Sequence, residues 1–485
     1  MRKINFIFIL LPILGLSCQP TQSSNEATDG PFPYNILWII SDDLGIELGC
    51  YGNPLVHTPS IDQLATEGVL YENFFTVSPV CSPSRSAFIT GLYPTQVQAH
   101  HHRTMNPQPL PDSIQILPAY FQEAGYFTFN QSGRDSLKAG KEDYNFQTDF
   151  QYDGTDWTQR QKGQPFFGQI QIYPPHRVFV ADSIHPIPLD QVKLPPFYPD
   201  HPLARKDWAL YLESVQAVDR KVRKIIERLK REGLYENTII FFFGDHGRPH
   251  VWDKQFIYDG GIHAPLIIRH PAASDQTVSQ ELVSSVDLAP TTLLMANLKT
   301  PKYLSGQDFW QPEHEERPYI YAQRDRTGDA MDRSRTIRTK RYKYILNLMP
   351  EQPYIQLSSY KKGQYPVFSL LKVLHEKEQL TEAQALRMAN RKPKIEFYDL
   401  VNDPYELNNL AYQANYAERI QTLSEIMDTC LVRYDSAYQT EPAQFTKAAK
   451  DASHQSFLNA MKSRGWPTDI SDEALLKLWE AYLLK

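Results

Sequence analysis

The sequence predicts an α/β fold with a smaller α+β subdomain at its C-terminal end, on three observations. Two short, continuously apolar runs, residues 35–40 and 238–243, have the pattern of strands covered on both faces. Between them Trp208, Leu212, Val215, Val218, Val222, Ile225 and Leu229 recur at helical spacing and stop at Gly233, so a long amphipathic helix feeds the second run as an αβ unit. From about Asp308 the texture changes to shorter strands, at 319–323 and 341–346, followed by helical patterns at 417–433 and 472–484. A chain of 485 residues holds two or three domains, or one large domain with an appendage. Hydrophobic residues at 41% and charged residues at 22% exclude disordered, collagen-like and coiled-coil classes. Lys and Arg number 50 against 56 Asp and Glu, so no basic field exists to gather nucleic acid.

The elements follow in chain order. Met1-Arg2-Lys3 and the apolar stretch 4–16 read as an export signal over residues 1–17, too short to span a bilayer. Leu14-Gly15-Leu16-Ser17-Cys18 has the form of a lipoprotein signal, which makes Cys18 a lipidation site, with ordinary cleavage nearby as the alternative. A polar tether over 18–32 suits either case, and leads into an N-terminal α/β domain over 33–307 and a C-terminal subdomain over 308–485. Cys50, Cys81 and Cys430 allow at most one disulfide; Cys50 with Cys430 is one arrangement and free buried thiols the other. Residues 165–172 and 264–268 are further strands. The Lys and Arg run of the long helix reads as its solvated outer face.

Chemistry concentrates where strands end. The first apolar run closes in Asp42-Asp43 and the second in Gly244-Asp245-His246-Gly247, and the carboxyl ends of strands in an open α/β sheet line the ligand crevice. Cys81-Ser82-Pro83-Ser84-Arg85 carries Pro in a first helical turn and Gly91 at the stop, which sets Cys81 at a helix N-terminus, a place to hold an oxyanion.

Cys-x-Pro-Ser-Arg followed by Thr90-Gly91 closely resembles the motif of type I sulfatases in the alkaline phosphatase superfamily, and the resemblance runs from residues 35–37 to the segment 396–406. It implies a large mixed sheet sandwiched by helices. It also implies that Cys81 is oxidised to Cα-formylglycine, by a formylglycine-generating or anaerobic maturing enzyme, and that no organic cofactor is needed. Asp42, Asp43, Asp245, His246 and residue 81 then hold a divalent cation, Ca²⁺ or alternatively Mg²⁺, with His246 either a ligand or a contact to the sulfate. Arg85 supports the nucleophile. Lys254 matches the sulfate-binding lysine ahead of the Tyr258-Asp259-Gly260-Gly261 turn, and His176 the proton donor to the leaving oxygen. Lys141 in Gly140-Lys141-Glu142-Asp143 takes the other lysine's role, with Arg134 as its competitor, and Asp143 stands where a histidine normally assists the nucleophile.

Two polar clusters, His100-His101-His102-Arg103 and Arg324-Asp325-Arg326 with Asp332, Arg335 and Arg338, suit a carboxylated or sulfated sugar. His101, His102, Arg103, Arg324, Asp325 and Arg335 are the candidate substrate contacts. The expected substrate is a sulfated polysaccharide or oligosaccharide, uronic-acid-containing or glycosaminoglycan-like, since parts of the chain resemble the heparan N-sulfatase and iduronate sulfatase branches. The expected location is the periplasm, outer membrane or cell surface, with membrane contact only through a lipid anchor. The rival readings are a phosphodiester or phosphonate monoester hydrolase of the same superfamily, and a glycan-binding lipoprotein without catalysis.

Overall fold

In the computed structural model, which describes residues 33–273, 277–356 and 358–485, twelve strands form two sheets. They are β1 (Asn35–Asp42), β2 (Val69–Phe75), β3 (Phe127–Ser132), β4 (Asp135–Ala139), β5 (Phe166–Pro175), β6 (Thr238–Gly244), β7 (Leu266–Arg269), β8 (Thr277–Ser284), β9 (Ile320–Arg324), β10 (Ser334–Arg338), β11 (Tyr342–Asn347) and β12 (Ile395–Asp399). The signal, the tether and Cys18 lie outside the described residues.

All eight residues of β1 are buried. Alternation sends Leu37 and Ile39 into one core and Ile36, Trp38 and Ile40 into another, so this strand is covered on both faces, as its unbroken apolar run requires. It pairs in parallel with β5 and β6, and the large sheet runs β4-β3-β5-β1-β6-β7-β2-β8, with β4 and β7 antiparallel to their neighbours. The expected mixed sheet between helices is therefore present.

On one face lies the helix Pro202–Arg231, roughly 45 Å long at 1.5 Å per residue, whose Val215, Val218, Val222 and Leu229 share a core with Leu37, Ile39, Ile240 and Phe242. Its basic face is less solvated than the sequence suggests. Arg228 pairs with Asp156 and lies 4.0 Å over the Trp157 ring, and Lys221 donates to the Gly133 carbonyl at 2.8 Å. On the other face lies the helix Cys81–Thr90, whose Phe88 meets Trp38 edge-on at 5.9 Å between centroids. Phe167 and Phe243 surround the same indole at 5.6 and 5.3 Å.

The strands β12-β11-β10-β9 make the second, antiparallel sheet. The helix Ala417–Tyr434 covers it with Leu423, Met427 and Cys430 against Tyr321, Ile337 and Phe397. The helix Asp472–Leu483 returns to the first body, where Leu475 and Trp479 join the core that holds Trp208. Both sheets lie within residues 34–485, which pack as one unit. Cys50 and Cys430 are free thiols, half-buried and buried, in different cores. No helix among the described residues is long and apolar enough to cross a membrane.

Because Trp38 fills the centre of one face, Trp38→Ala is expected to lower the unfolding free energy by about 3–5 kcal/mol in urea denaturation. A loss below about 1 kcal/mol would show that neighbouring rings close over the gap.

Candidate active site

Parallel pairing of β1 with β6, with Ser41 opposite Gly244, brings the two acidic turns side by side at the carboxyl edge of the sheet. Asp43, at a positive φ of 63°, donates its backbone N–H to Asp245 Oδ1 at 2.9 Å. The helix Cys81–Thr90 points its N-terminus at this edge, and Gly91 ends it in the left-handed region at φ 67°. Arg85, one turn in and fully buried, binds Asp245 at 3.0 Å, Asp42 at 3.2 Å and Gln171 at 2.7 Å. Cys81 Sγ lies 3.3 Å from His246 Nε2, 3.7 Å from Lys254 Nζ and 3.9 Å from Asp43. Burial pushes this thiol up, but the Lys141 and Lys254 ammoniums outweigh it and draw the thiol down to about 6.

Both sequence-predicted lysines reach the acids. Lys254 Nζ sits 2.7 and 2.8 Å from the two oxygens of Asp43, and Lys141 Nζ 2.8 and 2.9 Å from those of Asp42. Gly140 permits the second approach, because a Cβ there would stand 2.6 Å from the Gln131 carbonyl and 2.5 Å from Asn130 Oδ1. Arg134 does not reach Asp42; its guanidinium lies 3.8 Å over the Tyr173 ring.

His176 follows β5, with Nδ1 2.6 Å from the Arg177 carbonyl, which leaves Nε2 facing the Tyr360 hydroxyl at 3.5 Å. Burial lowers its pKa against the opposing pull of Asp43. Asp143 is gripped by Arg103 through two 3.0 Å hydrogen bonds and lies 3.5 Å from Lys141. Burial opposes its ionisation, yet these cations hold the carboxyl well below the usual range. The imidazole beside position 81 on this side belongs to His102: its ring, Cys81 Sγ and an Asp143 oxygen lie within 4.8 Å of one another, and its Nε2 is buried without a hydrogen-bond partner.

The donor set fits a hard divalent cation. Asp42 and Asp245 with Cys81, and Asp43 and His246 with Cys81, form two groups of ligand atoms within 4.8 Å of one another. His246 Nδ1 lies 2.9 Å from the Gly247 carbonyl, which turns Nε2 to the acids, 2.9 Å from Asp43. Burial and the Asp42 charge push Asp245 up to about 8, and Asp245 and Asp43 raise His246 to about 10 against its burial. Such crowding of negative charge, met here by Arg85, the two lysines and protons, would be relieved by a bound cation.

A cavity of about 950 Å³ opens above these groups. Cys81, Lys141, His176, Lys254 and Tyr360 line its base; His102, Arg103 and Arg326 line one wall, and Ser453 and Ser456 another. Of the expected substrate contacts, His102 and Arg103 face this space. His101 is buried against His100, with ring centroids 4.2 Å apart. Contrary to expectation, Arg324, Asp325 and Arg335 do not line this space: Arg335 is fully buried between Asp325 at 3.1 Å and Asp435 at 2.8 Å, and Arg324 is spent on Asp332 at 2.8 Å. Tyr360 and the helix Ala443–Ser463 supply cavity wall that the sequence reading missed, and Arg326, from the second polar cluster, borders it with its guanidinium held by Glu441. Small residues at 449, 452, 453 and 456, on one helical face, are the signal that was available.

Comparison with known proteins agrees with this geometry. Residues 34–298 match the sulfatase family model, and residues 244–362 match the C-terminal model of N-sulphoglucosamine sulphohydrolase. An ulvan-active sulfatase of Formosa agariphila is 30% identical, over 89% of this chain and 81% of its own. Human N-sulphoglucosamine sulphohydrolase is 25% identical, over 81% of this chain and 89% of its own. Among solved structures, a protein in complex with its substrate D-glucosamine-2-N,6-O-disulfate superposes with TM-score 0.60 at 18% identity, covering 83% of this chain and 98% of that one. A phosphonate monoester hydrolase from Silicibacter pomeroyi shares the fold equally, with TM-score 0.60 at 18% identity, over 83% and 96% of the two chains. With more than half its length matched by the family model, the chain belongs to the sulfatase family of sulfuric ester hydrolases.

Proposed function

We propose that this enzyme removes sulfate from a sulfated polysaccharide or its fragments, with formylglycine made from Cys81 and a Ca²⁺ ion held by Asp42, Asp43, Asp245 and His246. The observation that carries this reading is the buried Cys81, set at a helix start among three carboxylates and within 3.7 Å of Lys254. The modified side chain supplies the nucleophilic hydroxyl and the cation the charge that lets an anionic ester approach. With a divalent cation on Asp42 and Asp43, Lys141 and Lys254 would be free to grip the sulfate oxygens. Arg85 keeps Asp42 and Asp245 in place. His176, at the cavity base, donates a proton to the departing sugar oxygen. His102 serves position 81 in place of the histidine that Asp143 replaces, and Asp143 instead fixes Arg103.

The cavity favours an anionic glycan. Arg103 on its wall is 55% exposed at the side chain, and a guanidinium so placed pairs bidentately with a uronate or a second sulfate. Ulvan and N-sulphoglucosamine appear in the names of the two relatives above, and a uronic-acid-containing or glycosaminoglycan-like chain is the substrate class we assign. The N-terminal segment makes the enzyme an exported protein, lipidated at Cys18, that meets a formylglycine-generating or anaerobic maturing enzyme first and its glycan afterwards.

Mass spectrometry of the Cys81 peptide, from a host with maturation machinery, is expected to show an aldehyde in place of the thiol; an unmodified thiol would overturn the reading. Cys81→Ala is expected to lose turnover while its thermal melt stays that of the folded parent. Lys254→Ala should cut kcat/KM by about 10²–10³, the cost of losing one charged donor to the reacting group. On matched sulfate and phosphate esters the sulfate is expected to turn over faster, and the reverse order would favour the phosphonate hydrolase alternative. Removing divalent ions with a chelator should abolish activity and lower the melting temperature, and Ca²⁺ should restore both.

A further inference from the structure

Arg134, which competes with Lys141 in the sequence but does not take its place, stands at a second cavity of about 200 Å³. Asp42, Arg85, Ser132, Arg134, Lys141 and Gln171 line it. Asp42, Lys141 and Tyr173 also line the large cavity, so the 2.8 Å Asp42–Lys141 pair and the Tyr173 ring stand between the two spaces. Arg85, Arg134 and Lys141 line the small cavity against Asp42, and Arg85 also binds Asp245, so the uncompensated charge is that of Arg134. Arg85 and Lys141 are already committed to Asp42. The Arg134 guanidinium makes no ion pair among the described residues; it is held over the Tyr173 ring at 3.8 Å, on an exposed hairpin turn, with its donors free. That turn is fixed from behind, since the Gly133 N–H donates to the Gln171 carbonyl at 2.9 Å and Lys221 donates to the Gly133 carbonyl at 2.8 Å.

Size and charge name the ligand class. Pockets for drug-sized molecules run from about 300 to 1,000 Å³, so this one is too small for a sugar chain and suits a compact oxyanion. A guanidinium at the mouth matches a tetrahedral oxyanion bidentately. We infer that the cavity is a second anion site that takes inorganic sulfate, the product, on the side of Lys141 away from the glycan. The inference rests on the proposed sulfatase reaction. Sulfate there leaves to solvent past Arg134 while the desulfated sugar still fills the large cavity, and Lys141 touches the anion on both sides of the partition. Arg134 is thus a product-binding residue and takes no part in the bond change.

The site makes inhibition by sulfate distinctive. Sulfate bound at the base of the large cavity excludes substrate and raises KM alone, whereas sulfate in the small cavity coexists with substrate and lowers kcat. Sodium sulfate added to the matured enzyme is therefore expected to give mixed inhibition. In Arg134→Gln the kcat component of the inhibition should vanish and leave a competitive pattern. Purely competitive inhibition of the parent, or an unchanged mixed pattern in the variant, would overturn the inference. Thermal melts of the Cys81→Ala protein test it without turnover. Sulfate should raise the melting temperature more than chloride at equal ionic strength, and Arg134→Gln added to that background should reduce the rise; equal rises in the two proteins would also overturn it. Absent turnover with a sulfate-specific, Arg134-dependent rise would instead overturn the proposed reaction and leave the anion site standing.

Discussion

Everything at this site depends on three carboxylates held where no water screens them. Asp42, Asp43 and Asp245 are 2% exposed or less, and acids so buried persist only if positive charge is brought to them. The chain brings it from three directions: Arg85 from the helix that starts at Cys81, Lys141 from the loop after β4, and Lys254 from the loop after β6. None of these elements could be displaced without stranding a buried acid. The same requirement makes the site a receptor for anions, because each ammonium bound to an acid is a donor that a sulfate can recruit once the acid has a better partner.

The second sheet and the segments around it secure this arrangement from outside. Lys361 donates to the carbonyls of Val251 and Lys254 at 2.7 and 3.0 Å, which ties the Lys254 loop down from below. Glu406, in the acidic segment after β12, accepts the Asp259 N–H at 2.8 Å and pairs with Lys343 at 2.7 Å. Lys343 also binds Asp259 at 2.6 Å, so the turn that follows Lys254 is clamped by a network reaching into the second sheet. A buried network of this kind contributes little net stability, but it fixes one geometry, and it holds Lys254 at Asp43 and Cys81.

What the sequence disclosed follows from how each feature is encoded. β1 and β6 were legible because strands buried on both faces must be apolar throughout, and the Asp42-Asp43 and Asp245-His246 turns were legible because they end those strands. The helix at Cys81 was marked by Pro83 and Gly91. The helix Ala443–Ser463 was not found, because only Ala449, Phe457 and Met461 are buried and its cavity face is small and polar. Arg335 and Arg326 look alike in sequence and both are buried on carboxylates, Asp435 for one and Glu441 for the other, a hundred or more residues away, yet only Arg326 borders the cavity. The same blindness applied to Asp143. Its spacing from Lys141 suggested a missing histidine, whereas an imidazole within 4.8 Å of Cys81 Sγ on this side is that of His102, from a different loop.

The position of Lys141 joins these points. Its ammonium is bound to Asp42 on one side, lies 3.5 Å from Asp143 on another, and walls both cavities. Arg103 withdraws Asp143 by taking both its oxygens, so the charge of Lys141 is balanced chiefly by Asp42. A cation at Asp42 would therefore release Lys141 more completely than if Asp143 were free to claim it. The Arg103–Asp143 pair thereby links the exposed lining of the large cavity to the lysine that both cavities share, through one carboxylate kept ionised and occupied.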